Sequence, residues 1–317
     1  MRRLRAFRAV AVTAGAVAPW LPGITGHLSL LVPAAVAAQS APPTEALAGR
    51  TGTFKDPRLL ESSGVVASRR HPGYLWTMND SGGEPVLFLT DTTGTALAAF
   101  RVPGAVNVDW EALGRGPCGG GGRACLYIGD TGDNGENRRS VRLYRVPEPD
   151  SAARGPAGVT GRAEALEVTY PDGPHDVEAM YVEPDGGVVL ITKGRGEGVL
   201  VFRVPAAAWH RPGPALARRA DSLPIPASLL TGRLVTDAAL SPDGKLVAVR
   251  TYRDIWFFAR DETGRLRPDP THPVCEITSE EPQGEGIDWL DRETLVLTSE
   301  RGLFPAGTIT LIRCPSR

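Results

Sequence analysis

From residue 61 onward, short apolar runs alternate with turn residues in one recurring pattern. An acidic residue opens a short apolar strand, a turn follows, and a second apolar strand ends in polar residues. The openings are Glu61-Ser-Ser-Gly-Val, Trp110-Glu111-Ala-Leu, Val177-Glu178-Ala-Met, Thr236-Asp237-Ala-Ala-Leu and Gly284-Glu285-Gly-Ile. Their partners run from Tyr74, Cys125, Val188, Leu246 and Thr294. His71-Pro-Gly, Pro184-Asp-Gly-Gly and Pro242-Asp-Gly lie between, where a hairpin needs its turn. Third strands are predicted from Pro85, Val141, Val199, Ile255 and Thr308, and weaker fourth strands at 96–102, 165–170 and 274–278.

The acidic openers are separated by 50, 67, 59 and 48 residues. Repeats of about 40–50 residues with four strands each are the pattern of propeller blades. The chain therefore reads as all-β, a β-propeller of five blades. A sixth, degenerate blade inside the 67-residue gap stays open as an alternative. The last repeat has no fourth strand of its own, and residues 51–60 are placed to supply it, closing the ring and removing its open edge. Composition agrees. Gly 37 and Pro 28 make about a fifth of the 317 residues, against about 12% in an average globular protein, which excludes bundles and long-helix barrels. Trp76, Trp110 and Trp289 read as core between blades.

Arg2, Arg3, Arg5 and Arg8, an apolar stretch and Ala35-Val36-Ala37-Ala38 have the layout of a secretory signal peptide. The expected division is a leader at 1–38, a flexible linker at 39–50 and one propeller domain at 51–317. Loss of those arginines takes the formal charge from −1 to −5, which argues against nucleic-acid or anionic-membrane binding. A secreted or periplasmic monomer that meets a small anionic molecule or an extracellular ligand is expected. Four cysteines suit an oxidising compartment, and the pairing Cys118–Cys125 with Cys275–Cys314 is favoured.

In a propeller the innermost strand of each blade lines the central channel, so the openers Glu61, Glu111, Glu178, Asp237 and Glu285 are expected at one channel mouth. Asp109 and Asp176 lie two positions before their blade's glutamate, and strand alternation aims each pair to the same side. Carboxylates converging on one axis either hold protons or are neutralised by a cation. An oxygen-only set suits Ca2+, with Glu61, Asp109, Glu111, Asp176, Glu178, Asp237 and Glu285 as its ligands. The competing reading is that these acids accept backbone hydrogen bonds between blades. The ends of the second strands join the mouth. There Asp80 or Asp130 is a candidate base, His175 a second one, and Lys193 and Arg250 are candidate clamps for an anionic group.

The runs Glu61-Ser-Ser-Gly, Asn79-Asp80-Ser81-Gly82, Asp109-Trp-Glu111, Tyr127-Ile-Gly-Asp-Thr-Gly-Asp-Asn134, His175-Asp-Val-Glu178-Ala and Arg250-Thr-Tyr252 together resemble a group of exported bacterial propellers. That resemblance implies the propeller fold. The Asp109-Trp-Glu111 and Tyr127-Ile-Gly patches are similar to those of calcium-activated apyrases, and Gly284-Glu285-Gly286 to the metal-binding Gly-Glu of gluconolactonase-type lactonases. Propeller phytases are similar in binding calcium through Asp/Glu-Gly motifs. These resemblances imply a metal-dependent hydrolase of a phosphoester, phosphoanhydride or lactone. The alternative is a non-catalytic binding scaffold.

Overall fold

The computed structural model describes residues 44–45, 47–119, 122–150, 155–196 and 198–317. The leader expected at 1–38 and the first part of the expected linker lie outside the described residues.

The chain forms a five-bladed β-propeller. Going outward from the axis, blade 1 consists of Ser62–Ala67, Tyr74–Asn79, Val86–Asp91 and Ala96–Arg101. Blade 2 has Trp110–Pro117, Ala124–Asp130, Val141–Pro147 and Glu164–Thr169. Blade 3 has Val177–Val182, Val188–Thr192, Val199–Val204 and Arg218–Leu223. Blade 4 has Val235–Leu240, Leu246–Thr251, Asp254–Arg260 and the short Cys275–Glu276. Blade 5 has Gln283–Trp289, Leu295–Glu300 and Thr308–Arg313, and takes its fourth strand from Leu47–Thr53.

The ring is thus closed by an N-terminal strand, which starts four residues earlier than the pattern of residues 51–60 suggests. Residues after it cross to blade 1, where the Lys55 amide donates to the Gly94 carbonyl at 2.9 Å. Gly94 has φ +82°, and a Cβ there would lie 1.8 Å from the Thr53 carbonyl oxygen, so the crossing needs a glycine. The six-blade alternative falls with the 67-residue gap. It holds the strands of blade 2 and a segment, Gly155–Val159, that adds in parallel to the outer strand of blade 1. Ala215–Leu216 adds to blade 2 and Thr44–Glu45 to blade 4 in the same way. Such additions cover strand edges that would otherwise be free to pair with another chain.

Each seam between neighbouring blades carries its own hydrophobic cluster. Trp76 and Trp110 are fully buried between blades 1 and 2, and Trp289 packs between blades 4 and 5. The two disulfides are Cys118–Cys125 and Cys275–Cys314. The second ties the outermost strand of blade 4 to the end of blade 5 across 39 residues, a loop whose closure stabilises by about 4 kcal/mol in the chain-entropy account. Two disulfides fit an extracellular or periplasmic setting. Among the described residues, no helix is long and apolar enough to cross a membrane.

Candidate functional site

In every blade the pairing of the first and second strands shifts by one residue near its start. A bulge of this kind leaves one residue unpaired and re-aims its side chain. The residues at the bulge are Ser63, Glu111, Glu178, Thr236 and Glu285. This register sorts the acidic openers into three tiers. Glu111, Glu178 and Glu285 occupy the bulge itself. Glu61 lies two positions before it, level with Asp109 and Asp176. Asp237 lies one position after it, and a one-residue step along a strand turns the side chain to the other face.

The consequence for Asp237 is direct. It is fully buried, and its two oxygens accept the amides of Ala238 at 2.8 Å and Ile287 at 2.9 Å, so it joins blade 4 to blade 5. Thr236 holds the bulge position in its place and donates its hydroxyl to the Glu285 carbonyl at 2.9 Å. Ser63 does the same at the seam of blades 1 and 2, donating to the Glu111 carbonyl at 2.8 Å. Arg250 is also wholly buried. It donates to the carbonyls of Gly286 (2.6 Å) and Thr298 (2.9 Å) and pairs with Glu281. Both residues therefore join blades 4 and 5.

A different group converges at the mouth of blades 1 and 2. Asp80, Asp109 and Glu111 can each present one carboxylate oxygen such that all three lie within 4.8 Å of one another. Asp80 sits just past the end of the second strand of blade 1, and Asn79 fixes that corner by accepting the amides of Leu60 and Glu61 at 3.0 Å each. Asn107 donates to the carbonyls of Asn79 (3.2 Å) and Asp80. Asp109 is held through its backbone, its amide donating to Asp130 Oδ1 at 3.1 Å and its carbonyl accepting Gly132 N–H at 3.2 Å. Its carboxylate stays free to face the group. Gly132 leaves the space they need, since a Cβ there would lie 2.4 Å from Glu111 Oε1 and 2.5 Å from Asp109 Oδ2. The one-residue signal for this was the glycine in Asp130-Thr-Gly-Asp, which composition alone reads as a turn.

The electrostatics are those of crowded acids in a half-dry channel. Burial, and then the charge of Asp109, pushes Asp80 up to about 6. Burial, reinforced by Glu178 and Asp80, lifts Glu111 well above the usual carboxylate range. Glu285 is lifted by burial and by Glu178, and Glu300 is pushed up to about 7 by burial, then Asp80 and Glu61. Lys193 stands among them, its Nζ 2.6 Å from Glu178 Oε1. Burial works against its ammonium, but Glu178 and its neighbours outweigh that and hold Lys193 protonated. Asp176 is buried, accepts the Asp133 amide at 2.9 Å and lies 3.6 Å from Arg195.

Two candidate bases are set back from the cluster. Asp130 is fully buried, with Oδ1 accepting both the Asp109 amide and Arg138 Nη2 at 2.9 Å, which makes it a support for Asp109. His175 pairs with Asp172 at 2.9 Å and packs on Tyr170 and Phe202, towards the body of blade 3. Register also adds Glu300 and Tyr252 to the group, because they sit at the same second-strand position as Asp80 and Lys193.

The group fits a cation on two observations: Asp80 Oδ1 is buried with no hydrogen-bond partner, and Gly132 keeps clear the space beside Asp109 and Glu111. Oxygen donors without imidazole or thiolate suit a hard ion such as Ca2+.

No protein-family model matches the chain, and no curated protein matches it by sequence. Among solved structures, it is similar to the PQQ-bound aldose sugar dehydrogenase of Streptomyces coelicolor, at 13% identity and a TM-score of 0.53, covering 86% of this chain and 99% of that one. It also matches a luciferin-regenerating enzyme at 10% identity and a TM-score of 0.46, covering 83% of this chain and 95% of the other. At such identities the likeness to the dehydrogenase speaks for the propeller fold alone.

Proposed function

We propose that this protein is an exported propeller whose channel mouth binds a divalent cation, Ca2+ by the chemistry of its donors, and that it acts there as a metal-dependent hydrolase of a small anionic phosphoester, phosphoanhydride or lactone. The observation that carries the reading is the convergence of Asp80, Asp109 and Glu111 with one Asp80 oxygen unpartnered. Those three residues would hold the ion. Glu61, Glu300 and Glu285 offer further oxygen donors around it without a described basic partner of their own, and burial favours the protonated form of the last two.

When bound, a cation of this kind polarises a phosphoryl or carbonyl oxygen and lowers the pKa of a coordinated water. Lys193 supplies the fixed positive charge beside the cluster that would orient the anionic end of a substrate. Asp130 and Gly132 keep the backbone of Asp109 in place. A non-catalytic scaffold is the second reading, favoured by the closed Glu178–Lys193 pair, which already satisfies part of the mouth from within.

The test is thermal unfolding in EGTA and then with Ca2+ or Mg2+, for the native protein and for Asp80→Asn. A ligand bound only by the folded state stabilises it, so a rise of several degrees with Ca2+ that is lost in Asp80→Asn is expected. No shift with any divalent ion would overturn the cation site. A normal Ca2+ response without turnover of phosphoesters or lactones would leave the scaffold reading in its place.

A further inference from the structure

The acidic mouth occupies only one end of the channel. At the other end, where the innermost strands finish and turn outward, a cavity of about 420 Å³ opens between all five blades. Its walls include Val66, Leu113, Val182, Leu240 and Ile287, and its lining residues include two cations, the half-buried Arg115 and the exposed Arg123. Strand register makes Arg115 the counterpart of Ala67, Val182, Leu240 and Trp289 in the other blades. Four blades thus place an apolar residue at this level, and one places a guanidinium.

No ion pair among the described residues answers that charge. Arg115 Nε is buried without a hydrogen-bond partner, and no described carboxylate closes an ion pair with its guanidinium. Asp288 is near enough to favour its charge but has one oxygen committed to the Ala67 amide at 2.7 Å. Glu183 is engaged by Arg203 and Arg260. Arg115 is half-buried on the cavity wall and an arginine does not lose its proton, so an anion entering the cavity would meet a cation that has no ion pair. The other arginines whose Nε is buried without a partner, Arg145 and Arg250, each have a carboxylate on another guanidinium nitrogen. Arg250, the fully buried arginine of blade 4, has two carbonyls and a glutamate.

We propose that this second cavity is a binding site for a small monocarboxylate with an apolar body, whose carboxylate pairs with Arg115. The fork of a guanidinium matches a carboxylate, and the aliphatic walls match a hydrocarbon stem. A doubly charged phosphate would meet Asp288, Asp243 and Glu183 around the same opening and is disfavoured. The site is distinct from the acidic mouth and does not depend on the metal reading.

The experiment is calorimetric titration of the full chain with hexanoate, hexanol and inorganic phosphate, repeated on Arg115→Met and Asp80→Asn. Saturable binding of hexanoate alone is expected, weakened at least about tenfold in Arg115→Met, the loss of one charge-assisted pair, and unchanged in Asp80→Asn. Contacts between the hexanoate methylenes and the methyls of Val66, Leu113 and Ile287, read by NMR on the native chain, locate the ligand without any substitution. Absent hexanoate binding, equal binding of hexanol or phosphate, full affinity in Arg115→Met, or no contact with those methyls would each overturn the proposal.

Discussion

The seam between blades 4 and 5 and the mouth between blades 1 and 2 begin from the same repeat, an acidic residue at the start of an innermost strand, and end differently. At the seam, Asp237 and Arg250 are buried with backbone partners or an ion pair. At the mouth, Asp80, Asp109 and Glu111 face one another with oxygens left over. One strand position separates the two outcomes. A carboxylate at the bulge points into the channel, and a carboxylate one residue later points into the next blade, where free amides await it. A buried acid in this fold is therefore a fastener or a free channel group according to register.

The largest expected effect lies on the seam. Arg250→Ala leaves Glu281 buried and uncompensated and frees two carbonyls, so a loss of about 3–5 kcal/mol is expected in chemical denaturation, the same with EGTA as with Ca2+. A Ca2+-dependent loss would erase the distinction between the two regions. Next is Gly132→Ala, which drives a methyl onto the Glu111 and Asp109 carboxylates. Ca2+ affinity should fall by about tenfold or more, read by calorimetry, for a displacement of ligands worth about 1–2 kcal/mol. Unaltered affinity would remove these two acids from the site.

A smaller effect with the opposite sign is expected for Asp80→Asn. It relieves repulsion with Asp109 and should raise stability in EGTA by about 1 kcal/mol while abolishing the Ca2+ response. If Asp80→Asn destabilises as a seam residue would, the mouth is a structural ring. The smallest effect is in the pH profile. Asp80 and Glu300, at about 6 and about 7 when folded, hold protons that the unfolded chain releases near pH 4. Their contribution is full below that range and is lost as pH rises through 6 to 7, so metal-free protein should lose stability across that window. Saturating Ca2+ should flatten or reverse the slope, which melting curves at stepped pH would show.

The hairpins and the five blades were legible in the sequence because they follow local rules: alternation, turn residues and a period of roughly 40–50 residues. The additions of Gly155–Val159, Ala215–Leu216 and Thr44–Glu45 to other blades left no such trace. They pair residues far apart in the chain, and neither partner announces the other. Asp80, Asp109, Glu111 and Lys193 could be picked out as mouth residues from strand polarity. Gly132 could not, because its importance is an absent methyl group beside atoms from another strand.

The sequence by itself determined an acidic residue near the start of each innermost strand, since composition and period are properties of the chain alone. Only the tertiary structure decided which of those acids meet. A bulge shifts the strand by one residue, that shift chooses between channel and seam, and the amides available in the neighbouring blade then settle whether Asp237 is satisfied or Asp80 left waiting for a partner.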